Sequence, residues 1–344
     1  CCASDSRCRA GEPRFLRRQR REQLAGAGQS AEQRVELTVP ARATTGATRI
    51  TRLEGRAMGV TCAVTVTGSD GFDSARRALE DISTLEALWT RFSPHSDVSR
   101  MNRSAGRPVY VAPDTVTLVA TMLEAHRATH GLFDPSMLPE QLAAGDTRSL
   151  VDIGATESVP AAANHDLGSI RILDGCTVVL PEGMALDAGG IGKGLAADLI
   201  ADRTVAHGAE GVCVNIGGDL ACRGIPPEGG WTVSVAPPDD FAATIAVLSV
   251  ENGAVATSSV NARQWRNDRR TVHVMDPRTL RESDGEVAGA TVVASSAAWA
   301  EAYTKFALLS PGALPYLENL GLACMTVGHD GTVASNDQWA RFVL

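Results

Sequence analysis

The run Leu186-Asp187-Ala188-Gly189-Gly190-Ile191-Gly192-Lys193-Gly194 is the densest cluster of chemically useful residues in the chain. Glycines at the start of a helix let backbone come close to a ligand, and the free N–H groups there, with the Lys193 ammonium, favour an anion such as phosphate. The run is not a Walker A loop, because Lys193 is followed by Gly194 rather than Ser or Thr. Its G-x-G-x-G spacing is not the dinucleotide fingerprint either. Asp187 sets a carboxylate beside the anion site, where its usual partner is a metal, a ribose hydroxyl or a ring nitrogen. The plain alternative is a glycine-rich turn with a solvated lysine.

Four further segments carry polar groups at element ends. Gly131 to Ser136 presents Asp134 after a helix, either toward a ligand or as a turn aspartate bonding its own backbone. Arg91 to Asn102 is a polar loop with Phe92 in front, at its plainest a cap in which Ser96 opens a short helix. Ala256-Thr257-Ser258-Ser259, then Arg263 and Trp265, lead to His273-Val274-Met275-Asp276-Pro277-Arg278-Thr279. There His273 and Asp276 stand at a strand end, although a satisfied core histidine is the commoner reading of one His alone. In Trp299 to Lys305, Glu301 and Lys305 lie one turn apart and at the least form an i, i+4 ion pair.

The elements that hold these segments follow from periodicity. Arg49 to Glu54 and Cys62 to Thr67 alternate as paired strands around Ala57-Met58-Gly59. Apolar residues at three- and four-residue spacing predict a helix from Ser69 or Asp70 to Trp89, and another from Pro113 toward Gly131 as its C′ glycine. A third helix spans about Gly194 to His207, followed by a hairpin of Val212 to Ile216 and Leu220 to Arg223 around Gly217-Gly218-Asp219. Strands are predicted at Trp231 to Ala236, Ala243 to Val250 and Thr271 to Met275. Helices at Ala297 to Leu309 and Ala313 to Asn319 precede a last strand pair near Met325 and Thr332. The irregular interleaving argues for an α+β fold, with mixed or antiparallel sheets flanked by helices.

The charge is uneven. Seven arginines against two acids leave +5 on residues 1–21, so the rest of the chain carries −13 of the net −8. An acidic body of that size argues against general nucleic-acid binding. Residues 1–45 read as a poorly ordered Arg-rich leader, and 46–344 as a single large domain. No apolar run approaches the roughly 18 residues that a membrane-spanning helix needs. The eight cysteines show no zinc spacing in the body and read as reduced packing residues. Cys1 stands where a mature bacterial lipoprotein carries its acylated cysteine, with no lipobox before it, so both a cytoplasmic location and a lipid anchor at the outer face of the cytoplasmic membrane stay open.

Taken together, the order and spacing of Ala57-Met58-Gly59, Phe92 to Asn102, Gly131 to Pro135, Leu186 to Asp198, Val214 to Asp219, Ala256-Thr257-Ser258 and His273 to Thr279 resemble the FAD:protein FMN transferases, the ApbE family. The resemblance implies an enzyme that cleaves the pyrophosphate of FAD with Mg2+ and attaches FMN by a phosphoester bond to a Thr or Ser of an acceptor flavoprotein or FMN-binding domain, releasing AMP. It implies that Met58, Phe92, Leu132, Phe133, Asp134 and Met275 line the flavin or adenine pockets, and that Asp187 and Lys193 contact FAD. His273 is then the candidate base for the acceptor hydroxyl, Asp276 orients its turn, and Lys193 supplies positive charge.

The metal position falls on Gly190, Glu301 and Lys305. Here the chain departs from the family, which carries Asp and, four residues later, Thr as magnesium ligands; Thr304 is one place out of register. A protonated Lys cannot ligate magnesium. Two alternatives follow: a weakened or rearranged metal site, or a Lys305 ammonium that partly substitutes for the ion. Arg278-Thr279-Leu280 also lacks the glycine that the family prefers, and Thr257-Ser258-Ser259 replaces Thr-Ser-Gly. A homologue that only binds or hydrolyses FAD is the competing reading.

Overall fold

A computed structural model describes residues 49–144, 163–240, 242–260 and 274–344. The expected leader lies outside the described residues, as do Arg263, Trp265 and His273. Strands β1 (Ile50–Ala57) and β2 (Val60–Thr67) pair through Met58 and Gly59, both at positive φ (53° and 75°). That is the two-residue turn whose twist matches paired strands. Next come α1 (Gly71–Trp89), α2 (Asp97–Asn102), β3 (Val109–Tyr110), α3 (Pro113–Ala128) and α4 (Leu138–Ala143). The small strands β4 (Arg171–Leu173) and β5 (Thr177–Val179) lead to the glycine loop and α5 (Gly192–Ala206), which feeds the hairpin β6 (Gly211–Ile216) and β7 (Asp219–Gly224). The chain continues through β8 (Trp231–Val235), β9 (Ala246–Val250), β10 (Gly253–Ser259), β11 (Met275–Asp276), β12 (Arg281–Glu282) and β13 (Val287–Ala294). It closes with α6 (Ala297–Leu309), α7 (Ala313–Asn319), β14 (Ala323–Gly328) and β15 (Val333–Ser335).

Eight strands form one antiparallel sheet in the order β1-β2-β6-β7-β10-β13-β14-β15. Helices α1, α5 and α6 lie on one face. There Leu53, Val64 and Val214 meet Ile82, Leu85, Ala197 and Ile200, while Ala256, Ala290 and Val292 meet Tyr303 and Phe306. The other face of the central strands is covered by the β8–β9 hairpin and Trp339, against Leu220, Cys222, Val255, Val293 and Met325. The α+β expectation and both C-terminal helices agree with this architecture.

Strands β10 and β13 escape the periodicity reading although they are central. Both of their faces are buried, so Val287–Ala294 reads as a continuous apolar run instead of an alternation. The glycine expected at C′ of α3 is also displaced. His130 takes the left-handed position (φ 52°), and Gly131 (φ 82°) follows it and bonds back to the His126 carbonyl at 2.8 Å.

Helices α5 and α6 meet at their first turns. A Cβ added to Gly194 would stand 2.3 Å from the carbonyl oxygen of Ala297, so glycine is required there by space. Asp198 of α5 caps α6, accepting from Ser296 Oγ (2.7 Å) and from the N–H groups of Ala297 and Ala298 (2.9 Å each). Gly194→Ala is expected to cost about 1–3 kcal/mol in urea denaturation through overpacking. Gly312 is the control, since a Cβ added there would meet nothing within 4 Å. Gly312→Ala should change stability by less than about 0.5 kcal/mol.

Candidate functional site

The glycine loop is set by bonds from three directions. Asn102, the last residue of α2, pairs with Leu186 both ways, its Nδ2 donating to the carbonyl (2.9 Å) and its Oδ1 accepting from N–H (2.8 Å). The Asp187 N–H donates to the Pro135 carbonyl at 2.9 Å. Asp187 Oδ1 accepts from Gly189 N–H at 3.2 Å and lies 3.8 Å from Arg91 Nε, while the Arg91 guanidinium sits 4.5 Å above the Phe92 ring. The Arg91-Phe92 step thus connects the polar loop to Asp187.

Phe133 is buried, its N–H bonded to Thr129 Oγ1 (3.0 Å) and its carbonyl to His126 Nδ1 (3.0 Å). Its ring edge faces the glycine loop, since a Cβ on Gly190 would come within 3.0 Å of Phe133 Cε2 and 3.6 Å of Lys305 Cε. Leu132 is buried in the core under α6, and Met58 packs partly buried against the core under α1. Asp134 adopts the turn arrangement, Oδ1 accepting from Ser136 N–H (2.8 Å) and Oγ (2.6 Å).

Beneath the loop lies a cluster of four charges. The Lys193 ammonium pairs with Asp219 at the start of β7 and with Glu301 Oε1 of α6 at 2.7 Å. Glu301 Oε2 accepts from Gly194 N–H at 2.8 Å, so this carboxylate serves both a lysine and the first turn of α5. Lys305 Nζ donates to Ser258 Oγ on β10 (3.1 Å) and approaches Glu301 Oε1 (3.5 Å). Ser258 in turn shares a hydrogen bond with Thr304 Oγ1 at 2.6 Å. Glu301 and Asp219 are 0% and 1% exposed, which leaves water no part in neutralising them.

Burial works against charge on each of the four, and their mutual pairing decides the outcome. For Glu301, burial would raise the pKa, but Lys193, Lys305 and the Gly194 N–H outweigh it and hold the carboxyl below its ordinary value. For Lys193, burial would lower the pKa, and the Asp219 and Glu301 carboxylates hold it above that of a free lysine. Lys305 ends below its ordinary value, because burial and the charge of Lys193 are only partly offset by Glu301. Asp219 is raised by burial and by Glu301 against the pull of Lys193. One polar atom is unspent: Asp219 Oδ1 is buried without a hydrogen-bond partner among the described residues.

The structure brings Phe133, Gly190, Lys193, Glu301 and Lys305 together, with Asp187 two residues from Gly189. Asp276 and Met275 lie apart from these contacts, on the short β11–β12 ribbon. Asp276 is held by Arg278, whose Nε (2.9 Å) and Nη2 (2.6 Å) grip its two oxygens; these bonds keep the carboxyl below its usual range. That Arg278 also donates to the Leu309 carbonyl (2.9 Å) ties the ribbon to the end of α6. Met275 borders an open cleft of about 410 Å³ with Leu280, Glu282 and Glu140. Asp219, Arg91 and Asn102 are not singled out by sequence reasoning. All three stand in segments that carried a signal, Arg91 and Asn102 at the ends of the polar loop and Asp219 directly after Gly217-Gly218 in a tight hairpin, but none was given a role of its own.

The expected metal position does not fit a divalent cation as the residues stand. Magnesium needs near-octahedral oxygen ligands, whereas Glu301 Oε1 is contacted by two ammonium groups and Oε2 is spent on a backbone N–H. No group of three or more His, Cys, Asp or Glu among the described residues is arranged to hold a metal.

Residues 58–326 match the model of the ApbE family. The FAD:protein FMN transferase of Escherichia coli (strain K12) is 28% identical over 309 residues, covering 85% of this chain and 88% of the relative. One from Klebsiella pneumoniae (strain 342) is 32% identical over 234 residues, 64% of this chain and 70% of the relative. Among solved structures, the ApbE protein of Thermotoga maritima superposes with a TM-score of 0.74 at 22% identity, over 86% of this chain and 99% of that one. The flavin transferase ApbE from Vibrio cholerae gives 0.70 at 20% identity over the same shares. These two likenesses concern the fold.

Glu301→Gln removes the carboxylate shared by two lysines and is expected to cost about 3–5 kcal/mol, the range for breaking a buried ion pair. Chemical denaturation across pH checks the origin of the loss. Because the Glu301 pKa is depressed by folding, its contribution is complete above the unfolded value of about 4.3 and disappears as pH falls through the lower folded value. The gap between wild type and variant should therefore narrow below about pH 4.

Proposed function

The chain belongs to the ApbE family, and from that membership we propose that it is a FAD:protein FMN transferase. The observation that carries the reading is the first turn of α5, where Lys193, the positive end of the helix dipole and the Gly189-Gly190 approach gather positive character within the family-matched segment, although the Gly194 N–H is itself held by Glu301. Attack on a phosphoanhydride is opposed by its negative charge, so fixed cations and dipoles are what such a site has to contribute.

In the reaction, the hydroxyl oxygen of an acceptor Thr or Ser bonds to the FMN phosphorus of FAD. The bond from that phosphorus to the bridging oxygen breaks, AMP leaves with the bridging oxygen, and the hydroxyl proton passes to a base. Lys193 and the α5 N-terminus face the developing charge, and Asp187, braced by Arg91, holds a polar group of the nucleotide. His273, outside the described residues, is the proposed base; a neutral imidazole suits that task near pH 7. Asp276, gripped by Arg278, is a positioning residue for the turn that follows His273. The acceptor is a flavoprotein or FMN-binding domain that carries the target hydroxyl.

Magnesium, where it binds in an enzyme of this class, supplies charge neutralisation at the pyrophosphate. No step above is routed through it, because the carboxylates here are paired with ammonium groups.

Incubating the full chain with FAD and an FMN-binding domain that bears an acceptor Thr should give a flavin-fluorescent acceptor band on a denaturing gel and one AMP per flavin transferred. AMP without the band would reduce the activity to FAD hydrolysis. Asp187→Ala is expected to lose FAD retention in gel filtration. His273→Ala should retain FAD and lose transfer by about a hundredfold or more, the scale of a lost general base.

A further inference from the structure

The two lysines of the buried cluster are not equivalent. Lys193 is matched by two carboxylates, Asp219 and Glu301, and lies on the helix start that the transferase reading assigns to phosphate. Lys305 shares only Glu301 Oε1, the more distant of that oxygen's two contacts, and completes its coordination with the Ser258 hydroxyl. Its stem runs beside Gly190, in the loop that opens α5. A mostly enclosed ammonium with a neutral hydroxyl as its nearer partner is an uncommitted positive charge.

Among the described residues, the side-chain oxygens around Lys305 are already engaged. Both Glu301 oxygens are taken, Thr304 Oγ1 donates back to the Glu301 carbonyl (2.6 Å), and Ser258 Oγ lies between Thr304 and Lys305. Within this cluster, among the described residues, Asp219 Oδ1 is the buried side-chain oxygen without a partner, one oxygen where a hard divalent ion needs about six. A metal entering here would stand against two ammonium groups.

Resting on the transferase reading, we propose that Lys305 is the fixed cation of this site. Its ammonium, held by Ser258 and Glu301 behind the Gly190 loop, neutralises the pyrophosphate of FAD, so that FAD binds and is cleaved without a divalent ion. The charge is then part of the fold, present before substrate arrives, and the site depends on neither the magnesium concentration nor its affinity.

The test uses the full chain, treated with EDTA and exchanged into metal-free buffer, with FAD affinity read from quenching of flavin fluorescence. Wild-type affinity in EDTA and in millimolar magnesium should agree within about twofold, and magnesium alone should not shift the melting temperature. Lys305→Gln should weaken FAD binding in EDTA by about tenfold or more, and Lys305→Arg, which keeps the charge, should retain most of it. With an FMN-binding acceptor domain present to take the FMN phosphoryl group, release of AMP from FAD in EDTA by the wild type, at a rate that magnesium leaves unchanged, is the second reading and needs no variant to fold.

Wild-type binding that tightens about tenfold on adding magnesium would overturn the proposal while sparing the transferase reading. So would a folded Lys305→Gln protein that binds FAD normally in EDTA. Absence of FAD binding both with and without magnesium would overturn the transferase reading itself, and the proposal with it.

Discussion

Two buried carboxylates exchanged between helix starts hold this molecule together where its chemistry lies. Asp198, about two turns into α5, accepts from the first N–H groups of α6, and Glu301, one turn into α6, accepts from the Gly194 N–H of α5. Each helix thereby receives a negative charge at its positive end, and each carboxylate obtains donors that replace lost water. Such an exchange works only if the two first turns touch, which is why Gly194 has no room for a Cβ and why the facing residues of α6 are Ala297 and Ala298. Arg223 from β7 completes the pairing of Asp198 at 2.8 Å, so the sheet is fastened to the same junction.

Glu301 makes this junction electrostatic as well as structural. The carboxylate that satisfies α5 also anchors Lys193 and Lys305, so the positions of both ammonium groups are set by helix packing. A body carrying −13 can hold a polyanion under these conditions, because exposed charges more than about 10 Å away are screened at ordinary ionic strength. Two ammonium groups and the positive end of a helix, offset by Asp219 and Glu301 but enclosed in a water-poor region, are screened much less. The acidic composition therefore excludes broad basic surfaces without excluding a phosphate site, and the local arrangement decides.

Legibility followed exposure. Helices α1, α5, α6 and α7 were readable because each has a polar face or a clear punctuation residue: α6 begins after Ser296, whose hydroxyl accepts from Trp299 N–H, and matches its expected span at both ends. Strands β10 and β13 were not, since residues buried on both faces lose the alternation that marks a strand. In the site, Asp187, Gly190, Lys193, Glu301 and Lys305 could be picked out by type and spacing. Their partners could not, because Asp219 lies 26 positions from Lys193 and Ser258 lies 47 from Lys305, and only the sheet brings them together. The plain readings also had force: Asp134 is a turn aspartate, and Glu301 with Lys305 is an i, i+4 pair, though a buried one. Lys193, by contrast, is no solvated lysine.

Gly190 shows how one position can keep its shape while its chemistry shifts. Resemblance gives it a metal-ligating role through its carbonyl, but here its backbone is not in the left-handed region, so no conformational demand calls for glycine. The demand is spatial. A Cβ would press on the Phe133 ring at 3.0 Å, within a contact that a buried ring fixed through Thr129 and His126 cannot easily relieve, and would crowd the Lys305 stem at 3.6 Å. The missing side chain is thus what allows an aromatic ring, a glycine loop and a long cationic side chain to share one small volume. A lysine at position 305 needs this room because its four-carbon stem must pass the loop before its ammonium reaches Ser258. The glycine that brings backbone close to a phosphate and the glycine that admits Lys305 are the same residue, which links the binding surface and its fixed charge through packing.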